Sequence, residues 1–446
     1  MILNALERFS EEVFTFVTNH SDNNKAVLVK KHNENFQTHG DLSLPINAKS
    51  WQAFLMLDEA AVNSDKTFFE IIGKDSTDLV MESKNWELPV SKVKEEKGRI
   101  YIFLERPVAI KLSLSEAITN NAYILQRLTQ CPNSAELDSD IMESDITSLR
   151  AKCFHKAVNN LCTVSGVDSP LLVTCKSSVK SCDRILLSGT VLNAKTGVKE
   201  TMITSEEYIR LRQDEMTLIA QHKYGVRVST ESKWKQFIAH LGESAVVFEL
   251  LQTRPSSAVK INFASSVGSS KGASFILYNC ARLETIIRTY NQKVEEGTYP
   301  PLPDFCDTDF ALLNQEDEWC LIFNYVLGLP SLIKNCVEVN ERICEFRPHH
   351  LCSFLCSMVR VFSQYYRRVR ILTCTLLQKR STDTRRVSRP TRSLARVVDG
   401  RRPRNRRAAG EFVSRCRVVP VNSAVPYSVC DSDVCYNVCF LFQDHS

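Results

Sequence analysis

The chain has 446 residues, 43% hydrophobic and 24% charged, a composition ordinary for a soluble globular protein and long enough for roughly three domains. No apolar run approaches the ~18 residues needed to cross a bilayer. The N-terminus mixes Glu7, Arg8, Glu11 and Glu12 with apolar positions, unlike a signal peptide, so a cytoplasmic protein with no membrane contact is expected, the nucleus being the other compartment open to it. The net charge of +5 is unevenly spread: residues 374–446 hold 14 Lys/Arg and 6 Asp/Glu, which leaves 42 basic and 45 acidic residues elsewhere. Bulk charge therefore gives the body no affinity for nucleic acid, and binding there must come from local patches.

In chain order, Leu3, Leu6, Phe14 and Val17 suit an amphipathic N-terminal helix, while Lys25–Lys30 and Arg99–Leu104 have strand character. Leu112, Ile118, Ala122, Leu125 and Leu128 fall on one helical face. The acidic run Ser134–Ser148 is expected to be a linker or a solvated helix start. Strand-like pieces return at Leu171–Thr174, Arg184–Leu187 and Ala245–Leu250. From Ser274 the pattern is helical, with Ile276, Cys280, Leu283 and Ile287 as one buried stripe, stopped by Gly297, Pro300, Pro301 and Pro303. A second helix is predicted from Asp309 to Leu327, ending at Gly328 and Pro330. A third starts at Pro348 with the stripe Leu351, Phe354, Leu355, Met358, Phe362 and Tyr365. Three helices with short connections make a bundle. After Thr373 the basic, aperiodic composition cannot bury enough apolar surface to fold alone.

Enzyme signatures are scarce. Seventeen cysteines contain no Cys-x-x-Cys pair, so reduced, buried thiols are expected and no metal site. No two of the 14 glycines are separated by a single residue, which removes the dinucleotide loop, and the Gly-x-x-x-x-Gly-Lys phosphate cradle is absent too; no cofactor is expected. Gly268-Ser269-Ser270-Lys271-Gly272 fits the nucleophile-elbow pattern Gly-x-Ser-x-Gly, but such short motifs recur by chance, and a Gly/Ser turn leading into the helix is the better reading.

Four landmarks in order resemble the DALR anticodon-binding domain that ends arginyl-tRNA synthetases. Leu277-Tyr278-Asn279-Cys280-Ala281-Arg282 is similar to its Gln-Tyr-Ala-His-Ala-Arg core. Leu329-Pro330-Ser331-Leu332-Ile333 is similar to Phe-Pro-Glu-Val-Val, and Arg347-Pro348-His349-His350-Leu351 to Glu-Pro-His-x-Leu. Phe362, Tyr365 and Tyr366 match Phe-x-x-Phe-Tyr. Upstream, Ala245–Leu251 resembles the synthetases' strand-and-helix lead-in, and Phe36–Leu42 the Gly-Asp turn of their N-terminal domain. The catalytic signatures are missing: no two of the nine histidines are three residues apart, so there is no His-x-Gly-His, and Glu200–Ser205 stands where a Lys-Met-Ser-Lys-Ser loop belongs, without its lysines. Phosphate clamping supplies most of the rate in such chemistry. Met202–Tyr208 and Phe275–Leu283 are more similar to the non-synthetase, vertebrate branch of the DALR proteins than to true synthetases.

The resemblance implies an α+β protein: a synthetase-like N-terminal α+β domain (1–110), a shortened, degenerate catalytic-domain remnant and lead-in (111–270), an all-α DALR helical bundle (271–372) and a disordered Arg-rich tail (373–446). It also implies a non-catalytic adaptor that binds arginine tRNA and presents it to a methyltransferase-like protein making 3-methylcytidine; a divergent arginine–tRNA ligase is the alternative. No catalytic residue is assigned. Arg282 lies four residues after Tyr278 on one helix face, suiting either base stacking and phosphate contact or a core tyrosine beside a capping arginine. Arg288, Tyr366, Arg367 and Arg368 complete the nucleic-acid-binding candidates, Tyr365 being assigned to the buried stripe. The Arg-rich tail stands where the family has a closing helix, as an alternative splice product or shifted frame would, and its loss is expected to expose Phe354, Met358 and Phe362.

Overall fold

A computed structural model describes residues 2–19, 28–55, 66–129, 135–141, 144–167, 170–176, 184–224, 232–263, 271–340 and 343–369. The Arg-rich tail, residues 25–27 of the Lys25–Lys30 run and the Gly268–Ser270 part of the Gly/Ser turn lie outside these residues.

The N-terminal unit begins with α1 (Ala5–Thr18), whose first turn is capped by the Asn4 side chain accepting from the Glu7 N–H, and whose buried face carries Leu6, Phe9, Val13, Phe14 and Val17. That face packs on an antiparallel sheet of β1 (Lys30–Lys31), β2 (Leu42–Pro45), β3 (Val90–Glu96) and β4 (Arg99–Leu104), in the order β1-β2-β4-β3. β4 lies between two neighbours and buries every side chain from Ile100 to Leu104, the pattern of a central strand.

The middle unit follows α2 (Arg106–Thr129). It has a parallel sheet of β5 (Ala135–Leu137), β6 (Leu171–Thr174) and β7 (Ile185–Leu187), and a second parallel pair, β8 (Val191–Asn193) with β9 (Val259–Ile261). Around them stand α3 (Ile146–Ser165), α4 (Ser205–Tyr224) and α5 (Ser232–Leu251). Two expectations are corrected here. Ala135–Leu137, assigned to a linker, is a strand whose Ala135 is buried; three residues are too few to declare a period. Ala245–Leu250, read as a strand, lies inside α5. Its buried positions are Ala245, Val246, Glu249 and Leu250, a helical spacing hidden by a β-branched run. The helix turns Glu249 inward, where its carboxylate accepts from the Tyr208 hydroxyl at 2.6 Å and from Arg212 Nε at 2.7 Å.

The C-terminal unit contains α6 (Lys271–Glu295), a broken segment, a hairpin of β10 (Val337–Val339) and β11 (Cys344–Phe346), and α7 (Pro348–Val369). The helix expected over Asp309–Leu327 is instead a 3-10 turn at Phe310–Leu312, a short helix at Glu316–Cys320 and a π-helical turn at Leu321–Val326. Pro330 begins the next helix, Leu329–Asn335, rather than ending the previous one, since proline is tolerated in a first turn. Met358 and Phe362 are buried, 8% and 4% exposed, among Ile276, Leu351, Leu355 and Tyr365, with Phe354 half-buried beside them. The expected exposure of these side chains is therefore corrected: α7 seals its stripe against α6 and the middle unit.

The broken segment is the hinge-point of the packing. Its Phe310, Leu313, Trp319, Ile322 and Phe323 enter the N-terminal core, while Leu321, Tyr325 and Leu329 enter the core shared by the middle and C-terminal units. A π turn offsets successive side chains, so one short stretch serves two cores. Polar contacts add direction. Gly40 turns at φ +64, where a Cβ would lie 2.5 Å from the Ile102 carbonyl oxygen, and delivers Asp41. The Asp41 carboxylate accepts from the Leu104 N–H at 2.7 Å and from the Trp319 indole N–H at 2.6 Å. Arg106 pairs with Glu316 at 2.6 Å, and Lys31 donates to the Phe323 carbonyl at 3.2 Å.

Candidate nucleic-acid interface

α6 is a helix of two faces. Ile276, Cys280, Ile286 and Ile287 are buried, with Leu283 half-buried beside them, while Phe275 and Tyr278 are 37% and 44% exposed on the opposite flank. The Tyr278 ring is thus a surface ring, not a core one. Arg282, one turn on, reaches back so that its Nη2 donates to the Tyr278 hydroxyl at 2.8 Å and Nη1 to Asn279 Oδ1 at 3.3 Å. Its guanidinium carbon lies 4.6 Å from the Tyr278 ring centroid and 4.5 Å from that of Tyr366 on α7. The planar cation is held between two rings from two helices. Each such contact is worth about 0.5–2 kcal/mol and fixes the plane of the guanidinium.

The other predicted positions are less convergent. Arg288 is exposed, but six residues beyond Arg282 it points about 120° away around the helix. Arg367 is exposed near the end of α7. Arg368 turns to the C-terminal unit's own acidic edge, pairing with Asp317 at 2.7 Å and donating to Gln315 Oε1 at 3.0 Å. Tyr365 is fully buried, as its place in the stripe required, and its hydroxyl donates to Glu318 Oε1 at 3.1 Å. Burial raises both the Glu318 carboxyl and the Tyr365 phenol above their usual ranges. Tyr278, Arg282 and Tyr366 therefore form the cluster, with Arg367 near it and Arg288 and Arg368 turned elsewhere.

The Glu200–Ser205 loop is built around a buried carboxylate. Glu200 is buried, and its carboxylate accepts from Asn193 Nδ2 at 2.7 Å and from the Met202 N–H at 2.8 Å. Burial works to raise this carboxyl, but hydrogen bonds from Asn193 and from the backbone at Met202, Ile203 and Thr201 outweigh it and hold it below the usual range. The donors of this loop are thus taken up by the chain's own carboxylate. Lys199 is tied to Asp145 at 3.2 Å. Nothing in the sequence distinguishes Glu200 from a surface glutamate, since the donors that hold it are one amide side chain seven residues away and backbone groups of the loop. Among the described residues, no group of three or more His, Cys, Asp or Glu could hold a metal ion, and no helix is long and apolar enough to cross a membrane. Burial pushes the Cys162 and Cys336 thiols up to about 12, as befits small apolar side chains.

The helices that carry the ring–guanidinium–ring cluster have known counterparts. Residues 276–385 match the DALR anticodon binding domain. Curated relatives of the chain include DALR anticodon-binding domain-containing protein 3 of Danio rerio, 33% identical over 179 residues, and its Rattus norvegicus namesake, 33% identical over 180. These matches cover 38% and 40% of the chain and 32% and 34% of the relatives, so the matched region spans about a third of their length. In solved structures the fold is that of arginyl-tRNA synthetases. The Thermus thermophilus enzyme superposes with a TM-score of 0.52 at 10% identity over 98% of both chains. The Plasmodium falciparum enzyme gives 0.54 at 8% identity, over 99% of this chain and 98% of its own. The fold class read from the sequence, mixed helices and strands leading to a helical DALR domain, is the one observed.

Proposed function

We propose that this chain is a non-catalytic adaptor that binds arginine tRNA through the DALR region and presents the anticodon loop to a methyltransferase-like partner for 3-methylcytidine formation, in the cytoplasm or the nucleus. The observation that carries the tRNA-binding half is the Arg282 guanidinium held between Tyr278 and Tyr366, with Tyr278 44% exposed. Exposed rings stack unpaired bases, and a guanidinium fixed beside them supplies charge to the neighbouring phosphate. The partner and the modified base follow from the resemblance to the non-synthetase branch. Reconstituting methylation of arginine tRNA with and without this chain tests them: no stimulation removes that half of the proposal.

Each stacked base contributes about 1–3 kcal/mol, so Tyr278→Ala together with Arg282→Ala is expected to weaken arginine-tRNA binding at least about tenfold. Circular dichroism should be unchanged, because both side chains sit on a surface flank. Unaltered affinity in a folded double variant would show that the cluster is not the interface.

An adaptor has no need of ATP. The carboxylate of Glu200 among the donors at Thr201–Ile203 repels phosphate rather than clamping it. Arginine-dependent exchange of pyrophosphate into ATP is therefore expected at background level. Exchange above background that a Glu200→Ala change alters would instead identify a divergent arginine–tRNA ligase, the reading favoured by the synthetase fold alone.

A further inference from the structure

We propose that the far end of α6 carries a second contact for single-stranded RNA, built from Lys293, Tyr290 and Tyr299, so that one unpaired strand is held at both ends of the helix. The proposal rests on the tRNA-binding reading above and extends it to a site outside the Tyr278–Arg282–Tyr366 cluster. Positions 278, 282, 285, 289 and 293 are spaced by four, three, four and four residues, and so lie along one flank. Between the two ends that flank offers Thr285 and Thr289, which are short and uncharged.

After Glu295 the chain reverses through Gly297 at φ +69 and lays Tyr299 back against the helix. The Tyr299 and Tyr290 rings stack with centroids 6.0 Å apart and planes 28° from parallel. Lys293 Nζ lies 4.8 Å from the Tyr299 centroid, and the Tyr290 hydroxyl donates to the Pro300 carbonyl at 2.8 Å, fixing the turn. Two rings and a cation thus recur at the second end, here with the rings stacked on each other and a lysine over Tyr299 alone. Fifteen residues separate Tyr278 from Lys293, about 22 Å along the helix axis. A few unpaired nucleotides bridge that distance, in keeping with the shortest sites, about four nucleotides, of single-strand-binding modules.

The charge at this end favours stacking over bulk phosphate attraction. Glu295 and Glu296 are exposed nearby, and Glu296 accepts from Gln292 Nε2 at 2.8 Å. The contact is therefore base on ring, with Lys293 offering one phosphate contact and little salt dependence.

The test compares a trinucleotide with an octanucleotide of single-stranded RNA, each titrated into the full chain and its variants. One stacked base is worth between about fivefold and a hundredfold in affinity. Lys293→Ala plus Tyr299→Ala is expected to lower octanucleotide affinity at least about fivefold and to leave trinucleotide affinity unchanged. Tyr278→Ala plus Arg282→Ala should lower both. Tyr299→Phe keeps the ring and should bind as the unmodified chain does, which separates stacking from a fold lost with the turn. If the unmodified chain binds RNA but the Lys293/Tyr299 double variant loses nothing on the octanucleotide, or loses equally on both lengths, the second contact does not exist. If the unmodified chain binds neither RNA, the functional reading falls and this contact falls with it.

Discussion

Arg150→Met is expected to unfold the middle unit, lowering the melting midpoint by at least about 8 °C. Arg150 is 1% exposed, and no carboxylate is among its hydrogen-bond partners. Its Nε donates to the Leu250 carbonyl at 3.0 Å, Nη1 to those of Gly189 and Ser257 at 2.9 and 2.6 Å, and Nη2 to those of Thr253 and Arg254 at 3.4 and 3.1 Å. One guanidinium thus closes the C-terminal end of α5, the β7–β8 turn and the approach to β9. Burial brings it down to about 10, so it stays charged at neutral pH. Removing it relieves the cost of burying a charge but takes the donor from the carbonyls of Leu250, Gly189, Ser257 and Thr253, that of Arg254 keeping the Ser257 N–H at 3.0 Å. Each of the four is worth about 1–3 kcal/mol when left buried without a donor. Even after relaxation the loss wins, by about 4 kcal/mol or more. Relaxation is restricted by the close approach of Gly189 to Ser257, where a Cβ would meet the Ser257 carbonyl oxygen at 2.4 Å. Arg150→Lys keeps the charge but not the five-donor fork, so it should fall between the parent and the methionine variant. Thermal unfolding followed by circular dichroism decides the matter: a midpoint within about 2 °C of the parent for Arg150→Met would mean that water satisfies those carbonyls.

What could be read in the sequence was set by length and period. α1, α6 and α7 each repeat an apolar stripe over three or more turns, and β4 is a run of apolar, β-favouring residues, so each declares itself. Segments governed by distant partners do not. Val246 and Val247 favour a strand locally, but Glu249 must face Tyr208 and Arg212, and only a helix meets that demand. The break at Leu321–Val326 serves two cores at once, which no single periodicity reveals. At the candidate interface, spacing alone placed Tyr278 and Arg282 on one face. It could not say whether that face was core or surface, because α7 supplies Tyr366 from the far end of the unit. Arg150 was invisible for the same reason: its partners are backbone carbonyls contributed by residues 189–257.

The joint between the N-terminal unit and the broken segment should loosen as pH rises through mildly acidic values. Burial pushes the Asp41 carboxyl up to about 6; the hydrogen bonds from the Leu104 N–H and the Trp319 indole, and the charge of Arg106, pull against this, while Glu316 reinforces it. An unfolded aspartate titrates near ~3.9, so the folded chain binds this proton more tightly than the unfolded one. Stability from Asp41 is then fully present below about pH 4, declines as pH rises through the folded value, and is lost above it. A shift of this size corresponds to roughly 3 kcal/mol across the window. Trp319 itself reports the event, since its indole donates to the titrating carboxylate at 2.6 Å. Its signal is separable from the other three of the four tryptophans by Trp319→Phe. Equilibrium unfolding followed by Trp319 fluorescence is expected to give declining stability from pH 4.5 to 7, and Asp41→Asn, which cannot ionise, to flatten that decline. The amide introduced by Asp41→Asn has one acceptor oxygen and would accept from only one of the two donors, so the variant should be uniformly weaker at acidic pH, by about 1–3 kcal/mol. Stability that rises through this window, or a slope that survives in Asp41→Asn, would show that Asp41 does not set the joint's response to pH.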